Sequence, residues 1–200
     1  MSKRNFTTDV LDWEPWITPV DISTATADQS AVLEESGPHA RTSQYYHLLL
    51  HDAPALRERS ALFNAIMYGP GGLPRADREL GAAVESIVNG CVYCTSVHAR
   101  FYIQLAKRPD VIDRLFADGI AAELEPRQRA IADFSAKLAQ TPPQAGPAEI
   151  AALRSAGLSN SDIADLADAV AMFAWANRLM LTLGEPRQIA ARCVRRPERQ

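Results

Sequence analysis

Apolar residues recur every three to four positions along most of this chain, which is the spacing of one face of an α-helix. The clearest buried stripe follows Ser159 and consists of Ile163, Leu166, Val170, Phe173, Ala174 and Leu181. Ser159 and Asp162 form a helix-capping arrangement in front of it. Short β-branched runs bounded by turn residues hardly occur, so strand signals are weak. The pattern predicts an all-α bundle of about seven to nine helices.

Glycine and proline separate the predicted helices from one another. The helices are predicted to open at or near Pro54, Pro74, Cys91, Pro126, Pro147 and Ser159, and a short helix is predicted over residues 111–117. They are predicted to end near Gly69, Gly90, Lys107, Pro142, Ser155 and Gly184. Each of these ends carries a residue type that interrupts or caps a helix, or is followed by one.

The first forty residues have a different character from the remainder. They contain Trp13-Glu14-Pro15-Trp16, Pro19 and Gly37-Pro38, punctuation that disfavours long helices. We therefore predict an irregular N-terminal arm over residues 1–40, laid over a helical domain of residues 41–187. Residues 188–200 form a basic tail that contains Cys193. A chain of 200 residues fits one such domain.

Composition and charge exclude several classes of protein. The 21 basic and 24 acidic residues leave a net charge of −3, so no broad field draws the chain to nucleic acid or to an anionic membrane. The longest run without a charged residue is Ser60–Pro74, and a membrane span needs about 20 apolar residues. No secretory signal is visible, and three cysteines do not make a disulfide framework. We expect a cytoplasmic protein with no membrane and no nucleic-acid partner.

Two cysteines and a histidine share one helix face. Cys91, Cys94 and His98 stand at positions i, i+3 and i+7, which span an arc of about 60° on a helix. Cα atoms three residues apart on a helix are about 5 to 6 Å apart, within the range of a disulfide. The two cysteines can therefore form a disulfide reversibly, without large backbone movement.

Each of the two thiols has an activator nearby. Cys91 lies at the start of a helix, where unpaired N–H groups and the helix dipole favour the thiolate. His98 lies one turn beyond Cys94 and can lower the pKa of that thiol when protonated, or take its proton when neutral. Position favours Cys91 as the nucleophile and the imidazole favours Cys94, so the sequence leaves their roles open.

Glu79 is the fourth candidate, because the chain reverses at Asn89-Gly90. Glu79 lies ten residues before Asn89, and His98 lies eight residues after Gly90. The two side chains therefore occupy nearly the same level on antiparallel helices. A carboxylate that orients a histidine, which in turn serves a cysteine, is the general arrangement of an activated nucleophile.

Glu79, eleven intervening residues, Cys91-Val92-Tyr93-Cys94, three more residues and His98 resemble a known family signature. It is the E-x11-C-x-x-C-x3-H signature of the alkylhydroperoxidase AhpD-like branch of the carboxymuconolactone decarboxylase superfamily. The resemblance covers roughly residues 42–185 and implies an AhpD-like helical bundle that assembles into trimers or hexamers. It implies that Cys94 is oxidised by a hydroperoxide to a sulfenic acid and that Cys91 closes the disulfide. His98 and Glu79 would relay protons.

The resemblance further implies a dithiol reductant, either a lipoyl-bearing or a thioredoxin-like protein. A cycle of this kind requires no bound cofactor. One position departs from the family, since the well-studied peroxidases have histidine where this chain has Tyr93. A phenol does not titrate near neutral pH, so that proton carrier is missing.

Other interpretations of the same residues stay open. A thiol-disulfide exchanger or redox sensor would use the cysteine pair without reducing peroxide. A helical assembly module would hold zinc at the Cys/His site, and an acid–base enzyme of the decarboxylase type would not need the thiols. The cysteines and His98 could also simply be buried core residues. His47 and His51 stand one turn apart as a further metal-binding pair, although no additional ligands accompany them.

Overall fold

The computed structural model describes residues 5–189, and within that range most residues are helical. In chain order the elements are β1 (Leu11–Pro15), α1 (Ala27–Glu35), α2 (Gln44–Leu49), α3 (Ala53–Tyr68), α4 (Arg75–Asn89), α5 (Val92–Ala106), α6 (Pro109–Asp118), α7 (Pro126–Leu138), α8 (Pro147–Ser155), α9 (Asn160–Leu183) and β2 (Gly184–Gln188). Single 3-10 turns lie at Pro38–Arg41, Leu50–Asp52 and Gly119–Ala121. The predicted all-α bundle is confirmed, and the helix boundaries after residue 53 lie close to the predicted ones.

Helix α4 is the centre of the fold. It packs against α5, α7 and α9, and its residues from Asp77 to Ser86 are all buried. Gly81 permits the approach of α9, because a Cβ at this position would lie 2.7 Å from Leu166 Cδ1. The largest apolar cluster gathers around α4 and contains Leu80, Val84 and Leu166. The helix that carries Glu79 is therefore held rigidly on three sides.

The N-terminal region is more regular than the sequence pattern predicts. Strand β1 pairs with β2 as an antiparallel ribbon, with Leu11 opposite Gln188 and Trp13 opposite Pro186. Strand β2 gives no strand signal, because its sequence contains glycine, proline and only polar residues besides. Helix α1 begins with a capping box formed by Thr26 and Gln29, a signal that the sequence does contain.

The ribbon closes one end of the bundle over the cysteine pair. Trp13 is buried in the same apolar cluster as Cys91, Cys94 and Met180. Its Nε1–H donates to the carbonyl of Met180 at 3.3 Å, and its ring packs edge-on to Tyr45 at 5.5 Å. Through Trp13, strand β1 is thus in contact with α2 and α9.

The sequence pattern places Leu181 in the buried stripe of α9, but its side chain is 38% exposed because α9 presents that side to solvent. Cys193 and the rest of the predicted basic tail beyond residue 189 lie outside the described residues.

Helix α9 is long and apolar enough to cross a membrane by length and composition. Its most apolar window is 44% buried inside the fold, where α9 packs against α3, α4 and α7. These contacts make α9 part of the helical core.

Candidate active site

The turn between α4 and α5 sets the geometry of the site. Gly90 adopts a left-handed conformation with φ of 73°, which glycine tolerates without a Cβ clash. The N–H of Cys91 then donates to the carbonyl of Ser86 at 2.9 Å. Cys91 becomes the N-cap of α5, and the N–H of Cys94 donates to Cys91 Sγ at 3.4 Å. The chain thus reverses and brings α5 back along α4.

Cys91 and Cys94 are joined by a disulfide, with their Cα atoms 5.4 Å apart. The sequence predicts that this pair can close within helical spacing, and the structure has it closed. Both cysteines are buried, at 2% and 4% exposure, and Cys94 Sγ lies 3.5 Å from Met180 Sδ. The structure therefore describes the oxidised protein, with its sulfur atoms under an apolar cover.

Glu79 and His98 meet as the antiparallel arrangement of α4 and α5 predicts. Glu79 Oε2 lies 2.6 Å from His98 Nδ1, and the Glu79 side chain is fully buried. The His98 ring contacts Phe173 of α9, with ring centroids 3.9 Å apart. A carboxylate accepting from Nδ1–H fixes the tautomer that leaves Nε2 free to accept a proton.

Arg75 is a member of the site that the sequence analysis missed. Its Nε–H donates to Glu79 Oε1 at 2.7 Å, and its Nη2 forms a very short ion pair with the same oxygen. The guanidinium stacks over Tyr68, 4.1 Å from the ring centroid. Burial lowers the pKa of Arg75, but the charge and hydrogen bonding of Glu79, together with Tyr68, raise it by more, so the net direction is upward. The i, i+4 spacing of Arg75 and Glu79 was the available signal.

Two adjoining cavities give access to these residues. The larger has a volume of about 660 Å³ and is lined by Glu79, His98 and Arg75 together with apolar side chains, among them Tyr68 and Phe101. The smaller has a volume of about 110 Å³. It is lined by both Cys94 and His98, whereas Cys91 lines neither cavity. Of the two cysteines, Cys94 is therefore the one that borders a cavity.

Tyr93 stands between the cysteines and lines both cavities. Burial raises the pKa of its phenol, with the charge of Asp12 adding to this and that of Arg100 opposing it. Tyr93 therefore stays protonated around neutral pH, so it can donate a hydrogen bond but does not shuttle a proton.

The residues considered for metal binding do not converge. Across residues 5–189, no group of three or more His, Cys, Asp or Glu side chains surrounds a common point. His47 Nε2–H donates to the carbonyl of Arg41 at 3.0 Å, and His51 Nε2–H donates to that of Thr18 at 2.9 Å. These two histidines hold separate backbone segments.

The chain is similar to one protein family and to several solved helical structures. The Carboxymuconolactone decarboxylase family model matches residues 53–137. An AhpD-core, uncharacterised peroxidase-related protein from Ralstonia eutropha JMP134 is 27% identical with a TM-score of 0.71, covering 88% of this chain and 90% of that one. A peroxidase-related protein from Silicibacter sp. TM1040 is 26% identical with a TM-score of 0.68, covering 85% and 92%.

A third structure shares the fold at lower identity. It is a variant of the debrominase Bmp8 in complex with 2,3,4-tribromopyrrole, 15% identical with a TM-score of 0.68, covering 84% of this chain and 89% of that one. No curated protein sequence matches this chain at a significant level.

Proposed function

Since this chain belongs to the AhpD-like carboxymuconolactone decarboxylase superfamily, we propose that it is a thiol peroxidase that reduces organic hydroperoxides. The observation that carries the proposal is the buried hydrogen bond between Glu79 and His98, with His98 and Cys94 facing one cavity. A redox-active thiol beside an oriented imidazole is the arrangement of an activated nucleophile. In this proposal the two cysteines carry out the oxidation and reduction, and Glu79 positions the histidine that assists them.

The proposed cycle uses both cysteines. Cys94 Sγ, as the thiolate, attacks one oxygen of the hydroperoxide ROOH, and the O–O bond breaks. The alkoxide takes a proton and leaves as the alcohol ROH, while the sulfur becomes a sulfenic acid. Cys91 Sγ then attacks the sulfenic sulfur, which forms the disulfide and releases water. Two thiols and one hydroperoxide thus give one disulfide, one alcohol and one water.

His98 and Glu79 manage the protons of this cycle. His98 Nε2 accepts the thiol proton of Cys94 and returns a proton to the departing alkoxide. Glu79 keeps Nδ1 protonated and stabilises the imidazolium while it exists. Arg75 pairs with Glu79 and supplies the counter-charge for this buried carboxylate.

The shape of the site supports a bulky, apolar substrate. The 660 Å³ cavity shares Tyr93 and His98 with the smaller cavity that Cys94 lines. It has the size of pockets that take small organic molecules, and most of its lining is apolar or aromatic. We propose an alkyl or aryl hydroperoxide as the substrate in preference to hydrogen peroxide.

Burial of the disulfide bears on the reductant. Both cysteines are buried, and a dithiol on a long flexible arm, such as a lipoyl group, needs less exposed sulfur than the active site of a folded thioredoxin-like protein does. We therefore favour a lipoyl-bearing partner over a thioredoxin-like one. Its thiols reduce the disulfide by exchange and are themselves oxidised to a disulfide. We place this cycle in the cytoplasm, where reducing systems regenerate such dithiols.

We also propose that the protein is a homo-oligomer, a trimer or hexamer as in the family it resembles. Large apolar side chains are exposed on α3, α5 and α9, and the clearest are Leu62, Leu105 and Trp175. Contact between subunits would remove such surface from water.

Stopped-flow oxidation of the reduced protein by cumene hydroperoxide tests the peroxidase proposal. We expect oxidation much faster than that of free cysteine, and a sulfenic acid trapped at Cys94 in the Cys91→Ser variant. In the Cys94→Ser variant the fast reaction should disappear. A rate no higher than that of free cysteine would overturn the proposal and favour a disulfide exchanger or redox sensor.

A further inference from the structure

Arg59 is a buried cation with no acidic partner among residues 5–189. It lies on α3, is 7% exposed, and makes none of the ion pairs formed by the described side chains. A buried charge without a counter-charge is costly, so proteins normally pair it or use it. The neighbouring Arg57, by contrast, is only partly buried and is paired with Asp28 and Glu35.

Aromatic side chains hold the Arg59 guanidinium in place. Its Nη1–H donates to Tyr46 Oη at 2.7 Å, and its Cζ lies 4.7 Å from the Phe63 ring centroid and 5.0 Å from that of Tyr46. Its Nε is buried and has no hydrogen-bond partner. Ring faces attract a cation but do not neutralise its charge, so the guanidinium keeps donors and charge to offer to an anion.

The cavity of about 110 Å³ brings Arg59 and Cys94 together. Both residues line it, and a space of this volume holds only a few water molecules. The remaining titratable groups on its wall are His39, Tyr45, Tyr46, Tyr93 and His98. None of them is a carboxylic acid. Helix α9 contributes only Phe173, Ala176 and Met180, and no residue of α4 reaches this wall.

Glu79 does not supply the missing charge. Its Oε2 accepts from His98, and its Oε1 pairs with Arg75, which balances the charge of the carboxylate. The cavity wall therefore carries a fixed positive charge and lacks a fixed negative one. In the disulfide form neither sulfur is ionised, whereas reduction creates a thiol at Cys94 that can become an anion.

We propose that Arg59 is the counter-cation of the Cys94 thiolate in the reduced protein. This inference rests on the proposed function, in which Cys94 is the thiol that reacts with the hydroperoxide. It adds Arg59 as the residue that makes Cys94, rather than Cys91, the reactive thiol. Cys91 lines neither cavity, so the charge of Arg59 acts on one thiol of the pair. Arg59 thereby resolves the question that helix position and the imidazole leave open, in favour of Cys94. The thiolate forms at a lower pH than in free cysteine, with the sulfur held ready for attack.

The test measures the acidity of Cys94 directly in the full-length chain. Cys91→Ser and Cys193→Ser leave Cys94 as the single thiol, and its alkylation rate by iodoacetamide is followed from about pH 4 to about pH 10. We expect a pKa clearly below the ordinary value of about 8.5. Arg59→Gln should raise it by about one unit or more, while Arg59→Lys should retain most of the depression.

Arg57→Gln is the matched control, since it removes an arginine two positions away that lines neither cavity. It should leave the alkylation profile of Cys94 unchanged. A folded Arg59→Gln protein with the parental profile would overturn the inference. So would a pKa near or above about 8.5 in the parent with Arg59 intact, which decides the matter even if Arg59→Gln does not fold.

Peroxide assays on the same proteins separate this inference from the proposed function. A depressed, Arg59-dependent Cys94 pKa with no peroxide reaction would uphold the role of Arg59 and refute the peroxidase. Rapid peroxide reduction, with a Cys94 pKa that Arg59→Gln does not change, would support the peroxidase and refute the role of Arg59.

Discussion

Glu79 shows how much one residue determines at this site. Its two oxygens are shared between Arg75 and His98, so a single buried carboxylate both balances a cation and orients an imidazole. The spacing of Glu79, the cysteines and His98 was readable from the sequence, because a helix reversal at Asn89-Gly90 fixes their relative level. For Arg75 the only signal was its i, i+4 spacing to Glu79. Arg59 gave none, because an arginine on a helix normally faces solvent and only tertiary packing buries it.

Replacing Glu79 by Gln tests this double role. We expect the rate of oxidation by cumene hydroperoxide to fall by about 100-fold, since His98 loses the charge that stabilises its protonated form. The free energy of unfolding should also fall by about 1–3 kcal/mol, because Arg75 is left without its counter-charge. Stopped-flow kinetics and urea denaturation measure the two effects. Glu58→Gln, an exposed change on α3, should alter neither, and an unimpaired Glu79→Gln enzyme would refute the relay.

The buried carboxyl group of Glu85 should make the stability of the protein depend on pH. Burial raises its pKa from 4.5 to about 7, although a hydrogen bond from Asn89 opposes this. Between these two pH values the folded state holds a proton that the unfolded state releases, so stability falls as pH rises through the window. Glu85→Gln should abolish that loss. The free energy of unfolding of the variant minus that of wild type should therefore be about 1–3 kcal/mol larger at pH 8 than at pH 4.

Urea denaturation across the pH range measures the effect of Glu85→Gln. Glu123→Gln provides an exposed comparison that should follow the wild-type curve. Parallel curves for wild type and Glu85→Gln from pH 4 to pH 8 would show that Glu85 does not titrate in this way.

At the scale of secondary-structure elements, the turn between α4 and α5 is the feature on which the site depends. The sequence predicted both helices and their reversal, because glycine at 90 and the apolar periodicity on either side are local signals. It did not predict the β1–β2 ribbon, since β2 has no apolar alternation and forms only because β1 lies beside it. Pairing between distant segments leaves little trace in local sequence.

Substitutions at Gly90 test the importance of the turn. Its φ of 73° suits Gly and, less well, Asn, whereas a β-branched residue is strained there. Gly90→Val should lower the free energy of unfolding by about 1–3 kcal/mol, and Gly90→Asn by less than about 1 kcal/mol. Thermal denaturation compares the two variants at one position. Equal stability of the valine and asparagine proteins would contradict the left-handed turn.

At the scale of the whole molecule, the N-terminal region acts as a cover for the disulfide. Trp13 is 4% exposed within the cluster that surrounds the cysteines, while Trp16, three residues on, is 61% exposed. The overall helical layout was predictable from the sequence, but this cover was not, because tryptophan in a proline-rich segment gives no indication of what it contacts. Access to the site is therefore a property of the complete chain.

Removal of the cover should expose the sulfur atoms. Trp13→Ala should destabilise the protein by about 3–5 kcal/mol and speed reduction of the disulfide by dithiothreitol several-fold. Trp16→Ala should do neither, because its side chain is mostly in solvent. Thiol release followed in folded protein, under conditions where circular dichroism is unchanged, gives the comparison. Equal reduction rates for the two variants would mean that Trp13 does not protect the disulfide.

The most direct test of the central claim is a single anaerobic turnover with counted products. Fully reduced protein is mixed with one equivalent of cumene hydroperoxide, and the alcohol formed and the thiols lost are quantified together. The account predicts one alcohol per chain and the loss of two thiols, with Cys91 and Cys94 joined in the peptide map. The account would be contradicted if the protein formed no more alcohol than the Cys94→Ser variant does. It would also be contradicted if alcohol formed without the loss of these two thiols.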